Sequence, residues 1–193
     1  MAPKWQQKSL NLKPNHTWNL KPNHTWKAKP GYRIFVADRG AVRLDFPESW
    51  VVKPAADCIR FHDAEPPNDT CVLGVSYLRL PPDVDWRALP LTELLQQALN
   101  GGKRKLRRHG QVHHLPRRDI EIAWIESTFI DPVEKRAAFS CIALARGFNL
   151  QSLLTFDYWV EDRACLYPIW QEVLGSVQLG LAIKDPTMGE TLH

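Results

Sequence analysis

Three imidazoles fall within six residues: His109, His113 and His114, with Asp119 close behind. Neutral imidazoles beside a carboxylate are the raw material of a metal site. Here they stand among Lys103, Arg104, Lys105, Arg107, Arg108, Arg117 and Arg118, seven cations between positions 103 and 118 with no acid. That field repels a metal ion, and no cysteine or carboxylate sits at ligand spacing. The histidines therefore read as a solvated loop and strand edge, and no metal ligand is assigned. Cys58 and His62 have the spacing of ligands on a helix, but Cys-Ile-Arg-Phe-His reads as a strand. A Cys–His nucleophile would need a group to orient the base and an oxyanion donor, and neither is indicated. Asn100-Gly101-Gly102-Lys103 is a lone glycine loop rather than a phosphate-binding one. The sequence assigns no catalytic residue and no cofactor.

The cations themselves are the densest charge run in the folded part. Two readings follow. One is a solvated loop and edge strand, since basic edges deter strand-to-strand aggregation. The other is a docking face for an acidic protein, formed by Lys103, Arg104, Lys105, Arg107, Arg108, Arg117 and Arg118, with RNA or lipid headgroups as a lesser fit.

The formal net charge of +4 hides two different parts. Residues 1–31 hold Lys4, Lys8, Lys13, Lys21, Lys27 and Lys29 and no acid. The remaining 162 residues hold 19 bases and 21 acids, so the globular part is near neutral. Residues 11–18 read Asn-Leu-Lys-Pro-Asn-His-Thr-Trp, and residues 19–26 repeat them without change. Two copies are too few for a solenoid. Prolines 14, 22 and 30 favour extended or turn backbone, so 1–31 is expected to be a disordered basic tail. The tandem repeat reads either as recent duplication, including translation upstream of the true start, or as an arm for nucleic acid or anionic lipid, which lysine with interleaved tryptophan suits.

Cysteines 58, 71, 141 and 165 form no Cys-x-x-Cys pair and read as buried thiols. No apolar run is long enough to span a membrane, and the N-terminus lacks the apolar core of a secretory signal. The expected compartment is the cytoplasm.

The elements that must position these groups follow from periodicity. Tyr32 to Ala37 and Ala41 to Phe46 read as a hairpin across Asp38-Arg39-Gly40. Within it Arg43 and Asp45 alternate with Val42, Leu44 and Phe46, which predicts a wet face for the charged pair. Pro47 ends the strand and Trp50 folds back on the sheet. Cys58–His62 and Cys71–Leu80 are two further strands, with Gly74 marking a bulge or a close approach. Leu91, Leu94, Leu95, Ala98 and Leu99 make one helical stripe, capped by Thr92 or Asp85. Three long strands follow over 120–130, 137–146 and 149–159, separated by breaks short enough for antiparallel neighbours. Leu166, Ile169, Trp170, Val173, Leu174 and Val177 recur at helical spacing. The layout is α+β: one domain over 32–180 with a mainly antiparallel sheet covered by helices, and a frayed end over 181–193.

Two local signals support a resemblance. Phe46-Pro47-Glu48-Ser49-Trp50 is similar to the aromatic-Pro-x-x-Trp turn of the PsbP-like superfamily. Tyr167-Pro168-Ile169-Trp170 with Leu174-Gly175-Ser176-Val177 resembles its last helix. That superfamily comprises a photosystem extrinsic subunit, a Ran-binding relative and uncharacterised bacterial members. The resemblance spans roughly 32–180. It implies an α/β/α sandwich and a binding or assembly role, with no shared catalytic residue to carry over.

Two functions are therefore expected in order. The first is a non-enzymatic domain that binds a protein partner through the basic face. The alternative is a helix-grip carrier or enzyme for a small apolar ligand, with Trp124, Phe139, Phe156 and Trp170 lining a cavity between sheet and C-terminal helix.

Overall fold

A computed structural model describes residues 26–100, 106–185 and 190–191. The hairpin forms as its alternation predicts: β1 (Tyr32–Ala37) pairs antiparallel with β2 (Val42–Pro47), and Tyr32 faces Pro47. At the turn, Gly40 has a φ of +106°. A Cβ there would lie 2.0 Å from the Leu181 carbonyl oxygen, so only glycine fits.

The main sheet has eight strands: β3 (Val51–Pro54), β4 (Ile59–His62), β5 (Cys71–Arg79), β6 (Leu106–His109), β7 (His113–Leu115), β8 (Glu121–Ile130), β9 (Ala137–Gly147) and β10 (Leu150–Trp159). Their order is β3-β4-β5-β10-β9-β8-β6, with β7 beside β6 on the outer flank of β8. Every pairing is antiparallel. Gly74 keeps register with Thr155, but a Cβ on it would stand 2.7 Å from the Thr155 hydroxyl. Of the two expected roles it fills the close approach.

Two helices cover the sheet. α1 (Leu91–Asn100) buries Leu91, Leu95 and Leu99 against Ala123, Ile125, Ile142 and Leu144 on β8 and β9. Thr92 bonds His114 Nε2 at 3.1 Å instead of capping this helix. α2 (Arg163–Ser176) buries Leu166, Trp170, Val173 and Leu174 on the opposite face, beside β1 and β2. β11 (Gln178–Leu179) then adds to β2.

Three expectations are corrected. Arg43 and Asp45 are not wet: their side chains are 1% and 0% exposed. They pair at 2.8 Å, Arg43 donates to the Ser176 carbonyl, and the Asp45 amide donates to the Ser176 hydroxyl. Alternation missed this because charge pairing on the last turn of α2 replaces water. The expected frayed end is partly ordered: Ile183 is buried, and β12 (Ile183–Asp185) pairs with β13 (Glu190–Thr191). Residues 26–31 of the expected tail meet the domain, since Lys29 pairs with Glu172 and the Glu48 amide donates to the Gly31 carbonyl. Residues 1–25, with most of the repeat, lie outside the described residues. Among the cysteines, Cys71 and Cys141 are buried, whereas Cys58 is half-buried and Cys165 is exposed on α2.

Candidate functional site

The basic run divides. Lys103, Arg104 and Lys105 lie outside the described residues. β6 then runs beside the far end of β8, with Leu106 opposite Phe129 and Arg108 opposite Thr128. Arg107 is the extra residue of a bulge between them, and it is exposed. β7 continues along β8 toward its start, so Arg117 and Arg118 stand near Glu121. Seven residues of strand separate the two ends, about 23 Å. Arg118 is exposed. Arg117 is not available to a partner: its side chain is 2% exposed. It pairs with Asp119 and donates to the carbonyls of Gly175 at 3.2 Å and Val177 at 2.6 Å. It closes the negative end of α2, which is a structural role. His113 stacks on Trp124 with ring centroids 4.7 Å apart, and burial lowers its pKa, helped by His114.

The rings expected to line a helix-grip cavity pack closely. Trp124, Phe156 and Trp170 are almost wholly buried. Trp170 lies 6.2 Å from Trp124 and 6.0 Å from Phe156, and Phe156 lies 4.9 Å from Tyr158. Trp50 closes the set at 5.9 Å from Phe156. Three of the four aromatics expected to line a ligand site pack on one another, whereas Phe139 is half-buried and lies 5.6 Å from Tyr158.

One polar cluster sits under the first turn of α2. Glu126 on β8 has a fully buried side chain. Arg163 reaches it with both terminal nitrogens, at 2.5 and 3.1 Å, and the Tyr158 hydroxyl donates to it at 3.3 Å. Burial pushes the Glu126 pKa up to about 8, against the pull of Arg163 and Tyr158. Cys141 is opposite Glu126 on β9, and burial raises its thiol well above its ordinary value. Arg163 also lies over the rings of Phe139 and Tyr167. A buried acid held this way latches a helix; the thiol beside it is sealed from solvent and is no nucleophile. Sequence reasoning passed over Glu126 and Arg163, whereas Cys141 is buried as expected. The signal was there, since Glu126 shares the inward parity of Ile122 and Trp124 on β8.

The other face of the sheet is less complete. α1 lies over β8 and β9 and its cluster reaches Leu153 of β10, while Val72, Ser76, Leu78, Thr155 and Asp157 beyond it are half-buried. Two hollows mark this open half. One, of about 160 Å³, is lined by residues that include Asp69, Asp131, Asp157 and Trp159. The other, of about 90 Å³, includes Asp57, Ser76, Leu78 and Leu153. No lysine, arginine or histidine is among the lining residues of either.

With the fold in place, comparison with known proteins decides the kinship. The family model Alr1449 matches residues 33–183. This chain belongs to the Alr1449 family. The protein is 41% identical over 187 residues to the uncharacterized protein alr1449 of Nostoc sp. (strain PCC 7120), covering 96% of this chain and 93% of that one. The match thus extends into the repeat-bearing segment. Among solved structures, LpqN of Mycobacterium tuberculosis, which is involved in cell envelope biogenesis, superposes with a TM-score of 0.57 at 11% identity, over 76% of this chain and 89% of that one. The cyanobacterial PsbP of Synechocystis sp. PCC 6803 superposes with a TM-score of 0.55 at 11% identity, over 79% and 95%. The Alr1449 family member described here therefore has a PsbP-like fold, as the turn at Trp50 and the last helix suggested. No helix among its described residues is long and apolar enough to cross a membrane.

Proposed function

We propose that this Alr1449 family member is a non-enzymatic binding or assembly domain. It docks an acidic protein partner through cations on the outer rim of the sheet, and it works in the cytoplasm. One observation carries the reading: the outermost strand, β6, carries an exposed arginine, Arg107, at its bulge. A bulged, charged edge resists strand pairing, so recognition there runs through side-chain charge. Arg108 and the adjoining Lys103, Arg104 and Lys105 belong to the same stretch of sequence. Arg118 supplies a second point, and Arg117 is withdrawn from the set. The ring-filled interior supports binding at the surface over ligand storage inside.

The test uses the tagged full-length chain as bait, in its native form and as Arg107→Glu with Arg108→Glu. Proteins retained at low salt and released at about 0.3 M salt are compared by mass spectrometry. The reading expects the charge-reversed bait to lose its salt-sensitive partner. Equal capture by both baits sinks it.

A further inference from the structure

The sheet of this protein is covered on one side and half covered on the other. α2 and the β1–β2 hairpin close one face. On the opposite face α1 covers two strands and reaches Leu153 of β10, and the floor of the slot beyond it, over β10 and β5, is only half-buried. The floor of that slot can be read from the register. Val72, Gly74, Ser76 and Leu78 of β5 stand opposite Asp157, Thr155, Leu153 and Gln151 of β10. Gly74 keeps the middle of the floor low, because any side chain there would strike Thr155. Val72, Ser76, Leu78, Leu153, Thr155 and Asp157 are half-buried rather than sealed. Carboxylates mark both ends: Asp69, Asp131 and Asp157 at one hollow, Asp57 at the other. The cations on this face are Lys53, which pairs with Glu65; Arg60; and Arg146, which bonds Gln151 and the carbonyls of Trp86 and Leu89. His62 bonds Asp69 at 2.9 Å, Asp131 accepts from the Val133 and Glu134 amides, and Asp157 accepts from Ser140. The slot presents apolar patches between acidic ends.

The same chain carries the complementary segment. Residues 1–25 hold four lysines, no acid, and an interleaving of Leu and Trp. The described chain begins at Trp26 and reaches the hairpin at Gly31, whose carbonyl accepts from Glu48. Glu48 is three residues before β3, the edge strand on the open side of the sheet. Val51 of β3, His62, Val72 and Asp157 lie in one cross-strand row. The start of the described chain is thus near the same end of the sheet as the Asp69–Asp157 hollow. Three strand spacings from β3 to β10 come to about 14 Å. Twenty-five residues can extend to about 80 Å, ample to round the edge and run along the slot. A lysine of this region already pairs with an acid of the domain, Lys29 with Glu172.

We propose that residues 1–25 dock in cis on the half-open face of the sheet. Their lysines meet the Asp69, Asp131, Asp157 and Asp57 carboxylates, and their Leu and Trp side chains lie on Leu78 and Leu153. The segment takes the place that a further helix would occupy beside α1. This surface is separate from the β6 rim, and neither reading depends on the other.

Zero-length carbodiimide coupling of the full-length chain at low salt, followed by peptide mapping, tests it. Lys29–Glu172 serves as the internal control. The expected adducts join Lys4, Lys8, Lys13 or Lys21 to Asp57, Asp69, Asp131 or Asp157 within the monomer fraction. They should fall about tenfold in Lys13→Gln with Lys21→Gln, and in about 0.5 M salt, while a domain lacking those two lysines keeps its melting temperature. Adducts to Glu161 or Glu172 alone overturn the proposal. So do adducts found only in covalent dimers, which would make a second copy the occupant. A control adduct with none from residues 1–25 overturns it as well.

Discussion

Arg163 grips Glu126 with both of its terminal nitrogens, and it does so from the first turn of the helix that closes the core. The pair is asymmetric. Glu126 is fully buried, whereas Arg163 is 29% exposed, so the acid bears the desolvation cost and the base retains water. Burial dominates, and the Glu126 pKa rises to about 8.

That shift has a sign. A carboxyl whose folded pKa lies above its unfolded value contributes stability in its protonated form. The contribution is complete below the ordinary carboxyl range and is lost as pH rises through about 8. Native protein should therefore lose stability between about pH 5 and 9 relative to Glu126→Gln, whose profile is flatter. Arg163→Ala should cost about 2–3 kcal/mol near pH 8 and less near pH 6, where Glu126 can take a proton. Urea unfolding across that range measures both. Parallel profiles for native protein and Glu126→Gln would refute the burial argument.

Arg43 and Asp45 form a lock between β2 and the end of α2. Arg43→Ala takes the guanidinium from a fully buried carboxylate and from the Ser176 carbonyl, and should cost about 3–5 kcal/mol. Arg43→Leu with Asp45→Leu should cost clearly less than the sum of the single changes, because no charge is left behind. Additive losses in denaturant titrations would mean the two residues act apart.

Arg117 and Arg118 are neighbours in sequence with opposite duties. Arg117→Ala removes bonds to two helix-end carbonyls and to Asp119, and should cost about 2–3 kcal/mol. Arg118→Ala should stay within about 0.5 kcal/mol. Equal melting temperatures for the two variants would contradict the buried strut.

Two glycines with positive φ separate strain from collision. Gly31, at +81°, has open space where a Cβ would go, so Gly31→Ala should cost about 1–2 kcal/mol from backbone strain alone. Gly40, at +106°, would also drive a Cβ into Leu181. Gly40→Ala should destabilise markedly more, and its hydrogen exchange should rise at 181–185 and in the β1–β2 turn. Similar costs for both would leave the contact with Leu181 without weight.

Much of this architecture was legible in one sequence. The three long strands, their short breaks and both helical stripes follow from period two against period four. Gly74 announced a tight approach, and the aromatic turn at Trp50 announced where the ring returns to the core. What stayed hidden was pairing across distance. Arg43 and Asp45 look solvated until Ser176, 131 residues further from Asp45, is brought beside them. Arg117 looks like its neighbour Arg118 until two carbonyls of α2 claim it. Glu126 and Arg163 are 37 residues apart, and only the fold makes them one unit. Whether a charge is spent inside or offered outside depends on such partners, and periodicity carries no information about them.

The split of the basic run along β8 limits what can bind it. Arg107 and Arg118 stand roughly 23 Å apart along β8. If the run docks an acidic partner as proposed, a compact polyanion would saturate one end and leave the other unmet. Bivalent capture requires a rod or linker with acids at matching separation, and a mismatched spacer forfeits the avidity that its charge count would suggest.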